Sequence, residues 1–460
     1  MSININNGRA DVSLSNEEFF GRYGRNKTVA AYTLGCKVNQ YESEALLEIF
    51  ENNGYDTVDF EEKADVYLIN TCTVTGLSAR KSRQIIRRAK SANDSSIVIA
   101  AGCYSQTAPG EVMEIPSVDL VIGTKDRSRI LEFVSEIASK ATRINAVGNI
   151  MEERSFEHLG IKKYNDRTRA FLKIQEGCTQ FCSYCIIPYA RGPVRSRPEE
   201  EVLEEISKLA EGGFKEIVLT GIHIASYGRD LKNTSLLQLL RKADKIEGIS
   251  RIRLGSIEPT TITPEFVEAA VSMKKLCPHY HISLQSGCDA TLKRMNRKYT
   301  TEDYRNGVKL LKDNIEGVAI TTDVMVGFPG ETEEEFLQTY SFLEEIGFAQ
   351  MHVFKYSPRK GTPAAGYPDQ VPSEVKEERS RKVLELAAEL TLKFNSGFVG
   401  KTMPVLFEQE VKAMEGYVEG ITANYIKVVC KSRDSIKNIK GEIIEARLLK
   451  AQEDYVLGEL

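Results

Sequence analysis

The sequence predicts an α/β protein built from three successive parts: a small open parallel α/β sheet, a partial (β/α)6 barrel and a small five-stranded, OB-like β-barrel. Three observations lead to this fold class. Short apolar runs alternate with helical stretches from residue 27 to about 138, the alternation resumes from about 164 to 393, and beyond Gly400 short alternating runs are broken by glycines. We therefore expect a polar N-terminal extension over 1–26 and domains over 27–140, 164–395 and 397–460.

The composition is that of a globular protein without a general affinity for nucleic acid. It contains 42% hydrophobic and 27% charged residues with a formal net charge of −4, so any basic surface has to be local. No apolar run approaches the ~20 residues of a transmembrane helix, and residues 1–10 do not resemble a signal peptide. We expect a cytoplasmic protein with free thiols and no membrane partner.

The first 26 residues are polar, and this composition predicts disorder. Ser15-Asn-Glu-Glu18 nevertheless has the pattern of a capping box, which would begin a short helix. Both interpretations of the extension stay open at this point.

The first sheet is predicted from three buried strands at 29–33, 66–69 and 97–100, with helices at about 42–52 and 78–92. A cysteine follows each strand within a few residues: Cys36, Cys72 and Cys103. Because the carboxyl ends of parallel strands lie along one edge of an open sheet, these cysteines are expected to converge. They predict a second three-thiolate metal site, and the competing interpretation is that small thiols simply pack at strand ends.

The second part carries six strand candidates, at 171–176, 216–222, 251–257, 280–284, 320–326 and 352–356. Such units suit a partial β/α barrel, whose active site lies at the carboxyl ends of the strands. At the end of the first strand stand Cys178, Cys182 and Cys185 in a C-x3-C-x2-C motif. This spacing can hold three irons of a [4Fe-4S] cluster and leave the fourth iron open to a substrate or cofactor. A structural zinc site would need a fourth Cys or His nearby, and the next histidine is His223.

A long charged helix at about 374–394, with Ser373 as its N-cap, leads to the third part. Residues 397–460 contain nine Lys/Arg against ten Asp/Glu, whereas a nucleic-acid module is usually basic on at least one face. Charge therefore does not argue for RNA binding there. The remaining cysteines, Cys277, Cys288 and Cys430, are interpreted as structural, and none of the five histidines has a partner at catalytic spacing in the sequence.

Several of these motifs resemble one known family. The Cys178 motif resembles that of radical S-adenosylmethionine (SAM) enzymes. The segments around Cys36 (Thr33-Leu-Gly-Cys36-Lys-Val-Asn39), Cys72 (Asn70-Thr-Cys72-Thr-Val-Thr75) and Cys103 (Ala101-Gly-Cys103-Tyr-Ser-Gln106) resemble the N-terminal domain of the methylthiotransferases, a subgroup of those enzymes. The last part of the chain resembles a TRAM domain, an RNA-binding module.

The resemblance implies two [4Fe-4S] clusters and S-adenosyl-L-methionine as cofactors. One cluster, on Cys178, Cys182 and Cys185, would bind SAM and cleave it to a 5′-deoxyadenosyl radical. The auxiliary cluster, on Cys36, Cys72 and Cys103, would present a sulfur. The implied reaction is sulfur insertion at a C–H bond, with one SAM as methyl donor and a second as radical source.

The resemblance also indicates binding residues. Radical SAM enzymes bind SAM across the barrel mouth, so the SAM-binding candidates are the strand-end residues Thr220, Gly221, Ser256, Glu258, Gln285 and Gly327; turn chemistry is the alternative explanation for them. Candidates for tRNA phosphate contacts form two basic groups: Arg80, Arg83 and Arg87 after Cys72, and Arg191, Arg195 and Arg197 after Cys185. A solvated helix face is the alternative for the first group.

The loop Leu-Gly-Cys36-Lys-Val-Asn39-Gln-Tyr-Glu resembles the subgroup that methylthiolates C2 of N6-threonylcarbamoyladenosine at position 37 of tRNA. Two other subgroups remain alternatives: one acts on N6-isopentenyladenosine in tRNA and the other on an aspartate of a ribosomal protein. Both usually have different residues after the cysteine of this loop. The implied partners are tRNA, a flavodoxin- or ferredoxin-like electron donor and a sulfur donor. Two hypotheses of other classes stay open: an electron-relay protein, and a zinc-stabilised RNA-binding protein.

Overall fold

The computed structural model of the protein describes residues 11–159, 168–432 and 436–460. Along the chain follow an open six-stranded sheet, two adjoining sheets of four and three strands, and a closed five-stranded barrel. The predicted fold class, an open parallel α/β sheet followed by a partial β/α barrel and a small β-barrel, is confirmed. Among the described residues, every helix is too short or too polar to span a lipid bilayer.

The first sheet is parallel throughout, in the order β2-β1-β3-β4-β5-β6. β3 and β4 lie in its middle and are buried along their whole length, which is why they read as uninterrupted apolar runs. The strands are β1 (Lys27–Thr33), β2 (Tyr55–Thr57), β3 (Val66–Thr71), β4 (Ile97–Gly102), β5 (Leu120–Val121) and β6 (Ile144–Asn145). The helices are α1 (Asn16–Tyr23), α2 (Lys37–Glu51), α3 (Gly76–Ala92), α4 (Cys103–Thr107), α5 (Pro109–Met113) and α6 (Ile130–Lys140).

The N-terminal extension is partly helical. Ser15 and Glu18 form the predicted capping box at the start of α1, and Phe19 is fully buried in the same cluster as Val29 and Phe50. The prediction of disorder is therefore wrong for residues 11–26, because an apolar side chain anchors the polar segment to the sheet. Residues 1–10 lie outside the described residues.

The central sheets form one curved layer. β7, β9 and β10 pair in parallel, as do β11, β12 and β13, and isolated parallel bridges such as Ile257 to Ile282 join β10 to β11. Between β7 and β13, the first and last parallel strands, the described residues show no pairing, so the barrel keeps a lateral slot. The strands are β7 (Arg169–Glu176), antiparallel β8 (Arg195–Ser196), β9 (Glu216–Gly221), β10 (Arg251–Leu254), β11 (His279–His281), β12 (Ala319–Val326) and β13 (Gln350–Lys355).

Helices cover the outer face of this layer and bury its main apolar core. The short helix α7 (Ile187–Arg191) packs instead against α4. The covering helices are α8 (Glu199–Glu211), α9 (Leu236–Ala243), α10 (Pro264–Ser272), α11 (Asp289–Arg294), α12 (Thr301–Asn314), α13 (Glu333–Ile346) and α14 (Ser373–Ser396). Ser373 is the first residue of α14 and not its N-cap, which is Pro372 without a side-chain hydrogen bond. The predicted capping role of Ser373 is therefore wrong by one residue.

The last part is the predicted five-stranded barrel, closed in the order β14-β15-β16-β18-β17. Its elements are β14 (Thr402–Glu410), β15 (Tyr417–Thr422), β16 (Lys427–Lys431), α15 (Ile436–Ile439), β17 (Ile443–Ala451) and β18 (Val456–Glu459). Cys430 is buried in its core.

The small barrel covers the amino ends of the central strands. Arg251 of β10 donates to the carbonyl oxygens of Ile421 (2.9 Å) and Pro404 (2.7 Å). Tyr425, in the turn after β15 with φ +71°, stacks on the His279 ring with centroids 4.3 Å apart. The carboxyl ends of the strands, at the other end of the layer, remain available for a site.

Candidate active site

The contiguous trio, Cys178, Cys182 and Cys185, lies in the loop between β7 and α7. Gly177 opens the loop with φ +76°, and a Cβ there would lie 1.8 Å from the Pro193 carbonyl oxygen, so only glycine fits. The Cys178 N–H donates to the Gly192 carbonyl (3.0 Å) and the Cys185 N–H donates to the Cys182 carbonyl (2.9 Å). Local backbone contacts therefore set the shape of this loop.

Cys182 is buried, and Cys178 and Cys185 are half-buried. Burial raises the pKa of Cys178 to about 11 and that of Cys185 to about 12, so each keeps its proton until a metal ion displaces it. Arg297 Nη1 lies 3.3 Å from Cys182 Sγ, and its Nη2 lies 3.2 Å from Glu258 Oε1. The Arg297 guanidinium is therefore close enough to stabilise the negative charge of a thiolate-bound cluster.

The dispersed trio, Cys36, Cys72 and Cys103, follows β1, β3 and β4 at one edge of the first sheet. The strand ends are neighbours, because Thr33 pairs with Asn70 and Thr71 pairs with Gly102. A Cβ at Gly35, which precedes Cys36, would lie 3.2 Å from Cys72 Sγ. The structure thus brings together three cysteines that are distant in the sequence.

Both trios fit an iron–sulfur cluster better than zinc. Among the described residues, neither trio has its three sulfur atoms all within 4.8 Å of one another, whereas sulfurs around one tetrahedral zinc are roughly 4 Å apart. Soft thiol ligands with wider spacing suit a cluster of several irons. A four-iron cluster held by either trio would keep one iron without a cysteine ligand.

One cavity separates the two trios. It has a volume of about 240 Å³ and is lined by Val74 and Thr75, which follow Cys72, and by Tyr184 and Cys185 of the contiguous trio. Side chains join its two sides, since Arg359 Nη2 donates to Thr73 Oγ1 (2.7 Å). The cavity therefore lies between the segment that follows Cys72 and the loop of the contiguous trio.

Comparisons with known proteins agree with this arrangement. Residues 172–343 match the family model described as "Radical SAM superfamily", and residues 28–123 match "Uncharacterized protein family UPF0004". Threonylcarbamoyladenosine tRNA methylthiotransferase MtaB of Bacillus subtilis is 46% identical over 94% of this chain and 96% of its own length. The same-named protein of Aquifex aeolicus is 42% identical over 90% of this chain and 98% of its own length.

The chain belongs to the radical SAM tRNA methylthiotransferase family. The predicted family and enzyme class are thereby confirmed. Family membership supports SAM and a [4Fe-4S] cluster as cofactors of this methylthiotransferase. Among solved structures, the radical SAM methyltransferase TsrM of Kitasatospora setae has a similar fold, with a TM-score of 0.55 and 17% identity over 74% of this chain and 77% of that one.

The SAM-binding candidates of this methylthiotransferase lie at strand ends, in different environments. Gln285 lines the cavity between the trios and adopts φ +71°. Glu258 accepts a hydrogen bond from Gln180 (3.1 Å) and lies 3.1 Å from His223 Nε2. The Gly327 N–H donates to Glu331 Oε1 (2.8 Å). Thr220 is buried, Ser256 is exposed, and Gly221 ends β9.

The two predicted groups of tRNA-contacting arginines differ. On α3, Arg80 and Arg87 are exposed, and Arg83 donates to the Tyr104 hydroxyl (2.9 Å). The second group, Arg191, Arg195 and Arg197, is at most 2% exposed. Buried carboxylates hold these three guanidiniums, so their predicted phosphate contacts are wrong: the sequence shows charge but not burial.

The buried arginines belong to an ion network behind the dispersed trio. Two carboxylates, Glu42 of α2 and Glu176 of β7, share the cations Arg127, Lys173 and Arg191. These cations hold the pKa of Glu42 well below its usual range and that of Glu176 at about 2, although burial opposes both shifts. Arg191 Nε also donates to Cys103 Sγ (3.1 Å), so the network connects the barrel to the dispersed trio.

A second polar cluster on the barrel's inner face was not predicted. His281, Asp323 and His352 lie on β11, β12 and β13, and one ligand atom of each lies within 4.8 Å of the others. The alternation of side chains along the strands could have identified them. Asp323 pairs with His352, and His281 pairs with Thr321, which lies two residues before Asp323 and so on the same face. All three side chains therefore point to the same face.

Proposed function

We propose that this enzyme methylthiolates C2 of N6-threonylcarbamoyladenosine at position 37 of tRNA, with one SAM as methyl donor and a second as radical source. The observation that carries the proposal is the shared cavity of about 240 Å³ between residues that follow Cys72 and the Cys185 segment. A target carbon bound there would be close to both trios, as a reaction that combines a radical with a sulfur requires.

We assign Cys178, Cys182 and Cys185 to the SAM-binding [4Fe-4S] cluster and Cys36, Cys72 and Cys103 to an auxiliary [4Fe-4S] cluster. When bound, the clusters and SAM supply the radical, the sulfur and the methyl group of the reaction. The chain's own residues would hold these groups on the two sides of the cavity. Arg297 and Arg191 each donate to one sulfur, at Cys182 and Cys103 respectively, and so place a positive charge beside each cluster.

The proposed SAM contacts are Thr220, Gly221, Ser256, Glu258, Gln285 and Gly327. Their support is positional, because all six lie at or just beyond strand ends on the cluster side of the barrel. Glu258 is ionised, since the adjacent His223 and Arg297 lower its pKa although burial opposes this. A carboxylate in that place suits hydrogen bonding to ribose hydroxyls or to an ammonium.

For tRNA, we propose phosphate contacts from Arg80, Arg83 and Arg87 on α3, which begins four residues after Cys72. Two of these side chains are exposed, and the position would hold the anticodon loop beside the cavity. A flavodoxin- or ferredoxin-like electron donor and a sulfur donor complete the proposed partners, in the cytoplasm. The proposed domains are 27–140 for the auxiliary cluster, 164–395 for the radical SAM barrel and 397–460 for the TRAM domain, after the extension 1–26; the boundary at residue 164 lies outside the described residues.

The second candidate substrate is N6-isopentenyladenosine. It is favoured by a Clostridium botulinum protein named tRNA-2-methylthio-N(6)-dimethylallyladenosine synthase, which is 36% identical over 93% of this chain and 95% of its own length. The threonylcarbamoyl substrate ranks first because two of the proteins named for it are 46% and 42% identical, although a third is 36% identical.

Nucleoside mass spectrometry of bulk tRNA tests the proposal. Cells lacking the gene are compared with the same cells carrying it on a plasmid, and with cells carrying its Cys72→Ala variant as a matched inactive control. We expect the methylthio form of threonylcarbamoyladenosine to disappear and to return only with the unaltered gene. A change confined to the isopentenyl nucleoside would establish the second candidate, and no change in either would reject both.

A further inference from the structure

Lys37 is a cation without a polar partner at the barrel's lateral slot. It is the first residue of α2, directly after Cys36, and its ammonium lies 5.7 Å from the centre of the Phe171 ring on β7. Within the part of the chain that the structure describes, no carboxylate or other hydrogen-bonding group contacts this half-buried ammonium. Tyr425 and Glu216 attract this charge and Arg169 and Arg253 repel it, but none of them binds the ammonium directly. An anionic ligand could therefore form the direct ion pair that the chain does not supply.

The cluster of His281, Asp323 and His352 lies across the slot from Lys37. His281 Nε2 is 3.4 Å from Asp323 Oδ2, and His281 Nδ1 is 3.0 Å from Thr321 Oγ1. Burial lowers the pKa of His352, Asp323 opposes this shift, and His281 and the Lys37 ammonium add to it. Lys37 is therefore near enough to act on this cluster. Asp323 also lines the cavity between the two trios, so the cluster borders the space in which the target nucleoside would lie.

Two histidines and a carboxylate are also a ligand set for a divalent metal ion. Here the only carboxylate of the set already faces a histidine, and an ammonium lies nearby, so a further cation is disfavoured. The same groups offer hydrogen-bond donors and acceptors beside a positive charge. This combination suits a polar, anionic ligand.

We propose that Lys37, His281, Asp323 and His352 form a receptor for the anionic N6 substituent of the target adenosine. Lys37 binds the carboxylate of the threonylcarbamoyl group, and the cluster hydrogen-bonds to its hydroxyl and urea groups. Phe354, exposed on β13 and lining the cavity, offers a face on which the extruded base stacks. This assignment rests on the proposed function, and it explains how the enzyme distinguishes this substrate from an apolar isopentenyl group, which would leave the ammonium unpaired.

The test compares two anticodon stem-loops that differ in one group. One carries threonylcarbamoyladenosine and the other its methyl ester, which has no negative charge. Methylthio product is measured as kcat/KM with the fully reconstituted enzyme. We expect the natural chain to prefer the free carboxylate ~10- to 100-fold, as is typical of a hydrogen bond between charged groups, and we expect Lys37→Met to reduce this ratio to nearly one.

Control variants separate the receptor from other effects. Lys63→Met changes an exposed lysine of the same sheet domain and is expected to keep the full ratio. Because Lys37 adjoins Cys36, iron and sulfide are counted in each preparation. If Lys37→Met does not hold its clusters, His352→Leu on β13 tests the same receptor and is expected to reduce the ratio at least threefold.

The outcomes are distinguishable. A ratio equal to that of the natural chain in a cluster-loaded Lys37→Met variant, or in His352→Leu where that variant is used, overturns the receptor. A natural chain that modifies neither RNA, but modifies an isopentenyl stem-loop, overturns the proposed substrate instead. Equal rates of the natural chain on acid and ester would show that no cation recognises the carboxylate, and would also reject the receptor.

Discussion

The two cysteine trios differ in what holds them in place. The contiguous trio lies in one loop, shaped by Gly177 and by backbone hydrogen bonds over a few residues. The dispersed trio depends on strand pairing and on a buried network in which Glu42 and Arg191 are 149 residues apart in sequence. The first can be recognised from spacing and the second only from topology. Their supporting residues are therefore expected to respond differently to mutation.

Loss of one ligand is expected to have the largest effect and to separate the two trios. We expect Cys178→Ala to abolish SAM cleavage, because the cluster that would bind SAM loses one of its three cysteine ligands. Cys72→Ala spares cleavage but removes the methylthio product. Chromatography of 5′-deoxyadenosine and of digested RNA measures both. Methylthiolated product from either variant would contradict the assigned roles.

Glu42→Gln tests the network that supports the dispersed trio. It leaves Arg127, Lys173 and Arg191 with one carboxylate fewer in a fully buried site, and we expect the free energy of unfolding to fall by about 3–5 kcal/mol. Urea denaturation measures the change. Glu61→Gln, which removes an exposed partner of Arg88, is the control and is expected to shift stability by about 0.5 kcal/mol or less.

The same network predicts an acid-sensitive fold. The pKa of Glu176 is about 2 in the folded chain, against 4.5 for an unperturbed glutamate. Its stabilising contribution is therefore complete above pH 4.5 and is lost as the pH falls towards 2. We expect the unfolding free energy of metal-free protein to fall in that window by up to about 1.4 kcal/mol per pH unit for this carboxyl. An identical slope in Glu176→Gln would refute the prediction.

Arg359→Met probes the contact between the two trios. It removes the hydrogen bond to Thr73 and the positive charge that acts on Cys72. We expect methylthio product to form ~10-fold more slowly, the cost of about one such hydrogen bond, with a much smaller change in SAM cleavage. Arg381→Met, which alters an exposed arginine of α14, is the control. Equal losses in both reactions would place Arg359 at the contiguous trio instead.

The smallest effect is expected from the exposed basic face next to the dispersed trio. Arg80→Gln with Arg87→Gln is expected to weaken tRNA binding several-fold and to reduce the slope of log affinity against log salt by about two. Fluorescence anisotropy at several salt concentrations measures this. Arg88→Gln, whose guanidinium is paired with Glu61, is the matched control. An unchanged slope would favour a merely solvated helix face.

Local patterns predicted the fold well where burial is continuous. β3 and β4 were expected at 66–69 and 97–100 and extend to Thr71 and Gly102, because apolar runs mark buried parallel strands. The start of α2 was missed by five residues. It begins at Lys37, directly after Cys36, without a capping side chain that would mark it.

The site was only partly predictable, and the reasons are physical. Cysteine spacing and strand ends were enough to predict both trios as candidate sites. The burial of Arg191 could not be predicted, because its partners Glu42 and Glu176 are brought to it only by the tertiary fold. The cluster of His281, Asp323 and His352 lies on three different strands, so it forms no short sequence motif. It could have been found only by comparing which residues of adjacent strands face the same side.

The stack of Tyr425 on His279 gives the last barrel a second role. This barrel covers the amino ends of the central strands, and Arg251 holds it there by donating to the carbonyl oxygens of Ile421 and Pro404. An organic radical abstracts hydrogen from any nearby molecule. An opening at the amino end of the layer would therefore allow side reactions that consume SAM without product. The small barrel therefore closes the amino end of the central layer, and we expect its removal to increase the fraction of SAM that is cleaved without product.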